Sequence, residues 1–324
     1  MWMAWLAIIG GFALLMWSAE RFVLGGSALA RNLGVSPLII GMVVMGFGTS
    51  LPEMLVSGIA AGNGNPALGI GNAIGSNIAN VGLVLGVTAL IVPLTVASGT
   101  LKREYPVLFG VMLLAGVLLW DGELSRLDGI VLFSGFFLVM GWMVWQGMNG
   151  RKDGKDPLVA ELETEIPADM STGAALLWAL LGLVILIASS RLLVWGAVEV
   201  AQSFGVSDLI IGLTIVAIGT SLPELAASVM SALKGEDDMA VGNVLGSNMF
   251  NLLAVLALPG LILPSTLDAA VMQRDFPVMV GLTIALFVMA YGFRGPGRIN
   301  RIEGGLLLAA FVAYMAWLGR ASLA

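Results

Sequence analysis

Ile39–Glu53 reads IIGMVVMGFGTSLPE, and Ile210–Glu224 reads IIGLTIVAIGTSLPE. Nine of these fifteen positions are identical. A second pair lies downstream: Gly71–Asn80 reads GNAIGSNIAN and Gly242–Asn251 reads GNVLGSNMFN, with six of ten identical. Both matches share one offset, since 224 − 53 = 171 and 251 − 80 = 171. Upstream, LGVSPLIIG aligns with FGVSDLIIG at the same offset. The chain therefore divides into a first repeat over 1–148 (motif region 34–93), a linker over 149–171, and a second repeat over 172–324 (motif region 205–264).

The solvent of this duplicated unit follows from composition. Of 324 residues, 58% are hydrophobic and 11% charged, against about 25% charged in soluble globular chains. So much apolar surface cannot be hidden from water in a chain of this size, and lipid must cover much of it. From Gly34 to Leu101 the only charged residue is Glu53, and from Met239 to Leu267 there is none. A spanning helix needs about 20 mainly apolar residues. The pattern predicts an all-α polytopic membrane protein with ten transmembrane helices, near 2–31, 37–62, 66–93, 104–120, 126–148, 172–203, 208–233, 238–264, 273–293 and 300–319. The N-terminus, MWMAWLAIIGGFALLMWSAE, lacks the positive start and small-residue cleavage site of a signal peptide and is read as the first of them.

Five helices per repeat is an odd number, so the second copy enters the membrane from the opposite side. Two inverted five-helix repeats with helices interrupted at the midplane are a transporter architecture. Charge gives the orientation. One set of loops carries Arg31, Lys102, Arg103, Arg151, Lys152, Lys155, Lys234, Arg294, Arg298 and Arg301; the opposite set carries Arg126, Arg274 and Arg320. Lys/Arg excess marks the cytoplasm, which puts both termini outside and the 149–171 linker inside, with a bacterial inner membrane as the expected location.

The chain has no cysteine and no histidine. Disulfides, thiolate metal sites, a Cys nucleophile, a His-based triad and the usual zinc sets are excluded. An intramembrane hydrolase needs such groups or paired Asp, so an enzyme is not expected. A net charge of −6 without a basic run gives no nucleic-acid surface.

What remains is oxygen chemistry. Pro52 and Pro223 cannot donate a backbone hydrogen bond, and their rings push away the carbonyl four residues back. They should break their helices and free carbonyls, which is allowed at this depth only beside a cavity. Thr49 and Glu53 are four apart on one face, as are Thr220 and Glu224. A carboxylate near the bilayer centre needs a compensating partner, and no Lys or Arg recurs beside either motif. A bound cation fills that role; a protonated structural Glu, or pairing with Arg21 or Arg191, is the bland alternative. Asn72, Ser76 and Asn80 share one helical face, as do Asn243, Ser247 and Asn251. Close helix packing through Gly71, Gly75 and Ser76 explains the small residues, but not the amides at Asn80 and Asn251. Two carboxylates with hydroxyl, amide and carbonyl oxygens make a hard set, suited to Ca²⁺ or Na⁺ and poor for soft metals. Two Glu charges balance one Ca²⁺, two Na⁺ or two protons.

GTSLPE followed by GNxxGSNxxN, given twice, resembles the α-repeats of the sodium/calcium exchangers, within the calcium/cation antiporter superfamily, and most of all the prokaryotic calcium/sodium antiporters. The resemblance spans nearly the whole chain. It implies that Glu53 and Glu224 coordinate Ca²⁺ and Na⁺, with oxygens of Thr49 and Thr220. It places Ser76 and Ser247 beside Na⁺ sites, and the Gly46 and Ala217 carbonyls as further Na⁺ contacts. Asn80 and Asn251 take the middle polar position, supported by Ser50, Ser221, Asn77 and Asn248. Some archaeal exchangers carry Asp at the place of Asn251, and its absence leaves room for proton coupling. The implied activity is Ca²⁺/Na⁺ antiport by alternating access, with no cofactor, Ca²⁺ and Na⁺ as the transported ions, lipid as surroundings and a monomer sufficient. A Ca²⁺/H⁺ or K⁺-linked antiporter on the same scaffold is the alternative. A passive cation channel is the rival class, and inverted symmetry argues against it.

Overall fold

The structure, a computed structural model, describes residues 2–33, 46–96, 99–149, 170–235, 237–291 and 297–321. The 150–169 part of the linker and the 34–45 start of the first motif region lie outside the described residues.

Helix α1 (Trp2–Asn32) leads into the first motif, where α2 (Gly46–Thr49) stops and α3 (Leu51–Gly62) restarts one residue later. The next helical stretch is α4 (Pro66–Ala79), a wide π turn (Asn80–Leu85) and α5 (Gly86–Ile91). Strand β1 (Leu94–Val96), α6 (Gly99–Leu118), β2 (Glu123–Leu124) and α7 (Arg126–Asn149) complete the first repeat. The second opens with α8 (Thr172–Phe204), then α9 (Asp208–Ile211), a π segment (Gly212–Val216), α10 (Ala217–Thr220) and α11 (Leu222–Lys234). It continues with α12 (Asp237–Phe250), a π turn (Asn251–Val255), α13 (Ala257–Ile262) and β3 (Ser265–Thr266). A π segment (Val271–Asp275), α14 (Phe276–Ala290), β4 (Gly297–Ile299) and α15 (Arg301–Ala321) end it.

Eight helices among the described residues are long and apolar enough to cross a membrane. Leu51–Gly62 is a shorter apolar helix; residues 37–45 at the start of its predicted span lie outside the described residues. Helix α6 carries Lys102, Arg103 and Glu104 in its first turns, which lowers its apolar character. Leu113, Leu138 and Ile302 are each at least 70% exposed. Apolar side chains so bare are stable against hydrocarbon and costly in water.

The repeats pack reciprocally. Helices α1 and α8 run antiparallel in close contact, because residues rising in number along one face residues falling along the other. A Cβ on Gly25 would stand 2.4 Å from the Ala179 nitrogen, and one on its counterpart Gly196 would stand 2.7 Å from the Ala4 carbonyl oxygen. Glycine alone permits that approach. Helix α15 of the second repeat packs on α5 of the first, and α7 of the first packs on α13 of the second. Strand β1 pairs antiparallel with β4, and β2 with β3, so each short ladder joins the two repeats. These strands are too short to show alternation in sequence and were not expected.

The apolar interior falls into two layers. The larger centres on α4, α12 and the helices around them, including Ile74, Leu85, Leu245 and Phe250. A smaller one joins α1 and α8 to α3 through Leu15, Leu186, Val56 and Ala60. Arg21 of α1 lies over the rings of Trp17 and Trp178, 5.8 and 5.3 Å from their centroids. Its charge is spent on aromatic faces, not on Glu53.

Candidate functional site

Each GTSLPE motif breaks its helix at the serine. Ser50 (φ −85°, ψ 0°) and Ser221 (φ −85°, ψ 3°) have nearly identical backbones, with proline at the start of the next helix. The break puts Thr49 and Thr220 at the ends of α2 and α10, and Glu53 and Glu224 in the first turns of α3 and α11. Pro, Glu and the restarted helix are thus placed by one local rule: proline is tolerated at a helix start, where its missing N–H is not needed.

The threonines cross between repeats. Thr220 Oγ1 donates to Asn72 Oδ1 at 3.1 Å and lies 3.4 Å from Ser76 Oγ. Thr49 Oγ1 donates to Asn243 Oδ1 at 3.4 Å and lies 3.4 Å from Ser247 Oγ. Every residue in the first set maps to one in the second at the offset of 171. The asparagines one turn further on cross as well: Asn80 Nδ2 donates to Asn248 Oδ1 at 3.1 Å, and Asn251 Nδ2 to Asn77 Oδ1 at 3.3 Å. Both Asn80 and Asn251 open a π turn, a widening that frequently marks functional positions. Ser247 Oγ donates to Glu224 Oε1 at 3.4 Å. Of the residues expected to bind ions, Thr49, Ser247 and Glu224 thus share one hydrogen-bonded group with Asn243, Thr220 and Ser76 share a second with Asn72, and Asn80 and Asn251 each pair across the repeats with Asn248 and Asn77.

Glu53, Glu224, Asn80 and Asn251 are fully buried. Yet both carboxylate oxygens of Glu53, Oε2 of Glu224, Oδ1 of Asn80 and Oδ1 of Asn251 accept no hydrogen bond among the described residues. Buried polar atoms are almost always paired, and leaving a charged acceptor unpaired costs several kcal/mol or more. Five such atoms, three in the first repeat and two in the second, are all acceptors, the kind of group a cation satisfies.

The remaining expected residues are arranged differently. The Ala217 carbonyl accepts the Ser221 N–H at 3.1 Å and Thr220 Oγ1 at 3.4 Å, so it is engaged within its own helix. Gly46 opens α2. The Ser50 and Ser221 hydroxyls are buried without a partner among the described residues and stand at the breaks.

Two supporting pairs were missed. Asn72 Nδ2 donates to Ser57 Oγ at 3.0 Å and to the Glu53 carbonyl at 3.2 Å, and Ser57 Oγ donates to the Gly69 carbonyl at 3.2 Å. Asn243 Nδ2 donates to Ser228 Oγ at 3.5 Å, and Ser228 Oγ to the Ala240 carbonyl at 3.2 Å. Ser57 and Ser228 hold the amide ends of Asn72 and Asn243, so that the amide oxygens meet the threonines of the other repeat. The signal was available: both serines sit one turn beyond the motif glutamates, again 171 apart.

Comparison with known proteins gives the family. The profile of the family described as "Sodium/calcium exchanger protein" matches residues 3–145 and 174–319. The chain belongs to the sodium/calcium exchanger family. A protein called CaxA from Alkalimonas amylolytica is 50% identical over 97% of this chain and 98% of its own length. The inner membrane protein YrbG of Escherichia coli (strain K12) is 42% identical, covering 96% of this chain and 95% of its own. The solved structure of the sodium-calcium exchanger NCX_Mj, soaked with Na⁺ and Sr²⁺, superposes with a TM-score of 0.68 at 33% identity, covering 97% of this chain and 98% of that one. This family member is a multi-pass membrane protein and a cation antiporter, not an enzyme.

Proposed function

We propose that this exchanger carries Ca²⁺ one way and Na⁺ the other through a single site shared by two inverted five-helix repeats. The observation that carries the reading is the reciprocal contact between repeats: each repeat's threonine is held by the other repeat's asparagine and serine, near buried acceptor oxygens that have no partner among the described residues. Glu53 and Glu224 supply a formal −2, with Thr49, Thr220, Ser76, Ser247, Asn80 and Asn251 as neutral oxygens and the Gly46 and Ala217 carbonyls at the edge. One Ca²⁺ or two Na⁺ neutralise the pair, so occupancy by one excludes the other, and exclusion is the physical basis of exchange.

Ten spanning segments, including the two that are short of apolar length, give each repeat five and reverse the second. The antiparallel α1–α8 pair supports the inversion, since these helices open equivalent repeats. Its separate apolar layer against α3 supports alternating access as a movement of this pair past the rest. Loop charges put both termini outside, in a bacterial inner membrane, and one chain holds every group the site uses. Protons are the alternative coupling ion, on the ground that Asn251 is neutral.

The test is Ca²⁺ uptake into reconstituted vesicles under imposed Na⁺, K⁺ or pH gradients with membrane potential clamped. Uptake driven by an outward Na⁺ gradient, and by neither of the others, is the expected result. Uptake that follows the pH gradient alone overturns Na⁺ coupling; uptake with no counter-ion gradient makes the protein a channel.

A further inference from the structure

The two crossed asparagine pairs are alike in their first bond and differ in their second. Asn80 donates to Asn248, and Asn251 donates to Asn77. The Asn248 amino group then ends without a partner among the described residues. The Asn77 amino group instead donates to the sulfur of Met279, at 3.4 Å. At the offset of 171 the first repeat has Leu108 in place of Met279, with no polar atom to offer.

A thioether sulfur carries lone pairs and no hydrogen. It can only accept, so it selects one of the two orientations of the Asn77 amide: amino group toward Met279, oxygen toward Asn251. An oxygen in that place demands a donor, which turns the Asn251 amino group toward Asn77 and its oxygen away. That oxygen is one of the buried acceptors left for a cation. Asn77 is 2% exposed and Met279 1%, so both groups are buried away from the surface.

Met279 is itself held in register. Asp275, one turn earlier, is fully buried. It accepts from Arg274 Nε at 2.6 Å and Nη2 at 3.2 Å, and from the Tyr314 hydroxyl of α15 at 2.8 Å. Thr283, one turn later, donates to the Met279 carbonyl at 2.9 Å. Outside the duplicated motifs, α14 is thus pinned between α15 and the site.

We infer that Met279 is a positioning residue: its sulfur fixes the Asn77 amide and, through it, keeps the Asn251 oxygen rather than its amino group turned to the transported cation. This rests on the exchange reading above. Without the sulfur, both amides can turn together, and a positive amino group edge then faces the ion.

The experiment is Ca²⁺ calorimetry on the purified full chain in detergent at pH 8, with melting curves, for wild type, Met279→Leu, Asn251→Asp and the double variant. Leucine conserves volume, which cores tolerate well; Met279→Ile serves the same purpose if the leucine variant does not fold. Met279→Leu should weaken Ca²⁺ binding about tenfold, in the range seen for partners behind metal ligands, with a melting temperature near wild type. In the Asn251→Asp background the same change should cost less than about twofold, because a carboxylate presents an oxygen to the ion whichever way the Asn77 amide turns; a double-mutant cycle measures the difference. Unchanged affinity in Met279→Leu, or an equal loss in both backgrounds, overturns the inference while leaving Ca²⁺ exchange standing. A wild type that binds no Ca²⁺ overturns the exchange reading, and this inference with it.

Discussion

In the first repeat Ser57 holds Asn72, whose oxygen takes the Thr220 hydroxyl; in the second Ser228 holds Asn243, whose oxygen takes the Thr49 hydroxyl. The inner layer is the same on both sides. The groups behind it are not. Glu224 receives a bond from Ser247, whereas Ser76 turns to Asn72 at 3.5 Å and Glu53 keeps both oxygens unpaired among the described residues. Asn77 is anchored by Met279, and the Asn248 amino group has no such anchor among the described residues. Duplication copies the crossed threonine–asparagine contacts, while the hydrogen bonds around them differ between the halves.

The comparison makes its largest claim at the glutamates. Glu53→Gln and Glu224→Gln should each cut Ca²⁺ transport by about 100-fold or more, since even residues behind metal ligands cost 10–100-fold, while the protein stays folded in the membrane. Flux assays on both variants check this, and retained exchange in one well-folded variant would break the symmetry. Next come the asparagines. Asn80→Leu and Asn251→Leu each remove an oxygen and strand a polar neighbour, Asn248 or Asn77, at about 1–3 kcal/mol. Initial-rate Ca²⁺ flux should fall roughly 10-fold or more in each. Asn251→Asp should keep transport but make it more pH-sensitive, with inhibition or altered coupling toward acid pH, because the new carboxylate can take a proton; identical pH profiles would make Asn251 a packing residue.

Smaller effects test the scaffold and the supports. Gly25→Ala and Gly196→Ala force a Cβ against backbone atoms of the opposing helix, and each should lower stability by about 1–3 kcal/mol. Gly10→Ala, with nothing within 4 Å of the added carbon, is the control, and melting curves in detergent compare them. Ser57→Ala and Ser228→Ala each lose one hydrogen bond to a site asparagine, worth about 1 kcal/mol, or roughly a fivefold loss of Ca²⁺ affinity by calorimetry. A loss confined to one repeat would extend the asymmetry into the inner layer.

Much of this was legible in sequence because duplication turns weak signals into paired ones. The broken helix at each GTSLPE, the buried glutamates and the asparagine positions all stood out at one offset. Ser57 and Ser228 carried the same signal but lie outside the two conspicuous motifs. The π turns at Asn80 and Asn251 left no mark, since no residue type forces a widened turn. The β1–β4 and β2–β3 ladders were hidden because strands of two or three residues have no period to read. Met279 was beyond reach for another reason: it has no repeated counterpart, and a methionine on an apolar helix reads as packing until its sulfur is seen against Asn77.

The central claim is that both repeats build one site in which Ca²⁺ and Na⁺ exclude each other. Calorimetric titration of the purified chain with Ca²⁺, at rising Na⁺ and with choline as the inert control, tests it most directly. The account predicts one Ca²⁺ per chain, an affinity that falls as Na⁺ rises and is indifferent to choline, and loss of that binding in both Glu53→Gln and Glu224→Gln. Two Ca²⁺ per chain, affinity untouched by Na⁺, or full binding in either variant would contradict it.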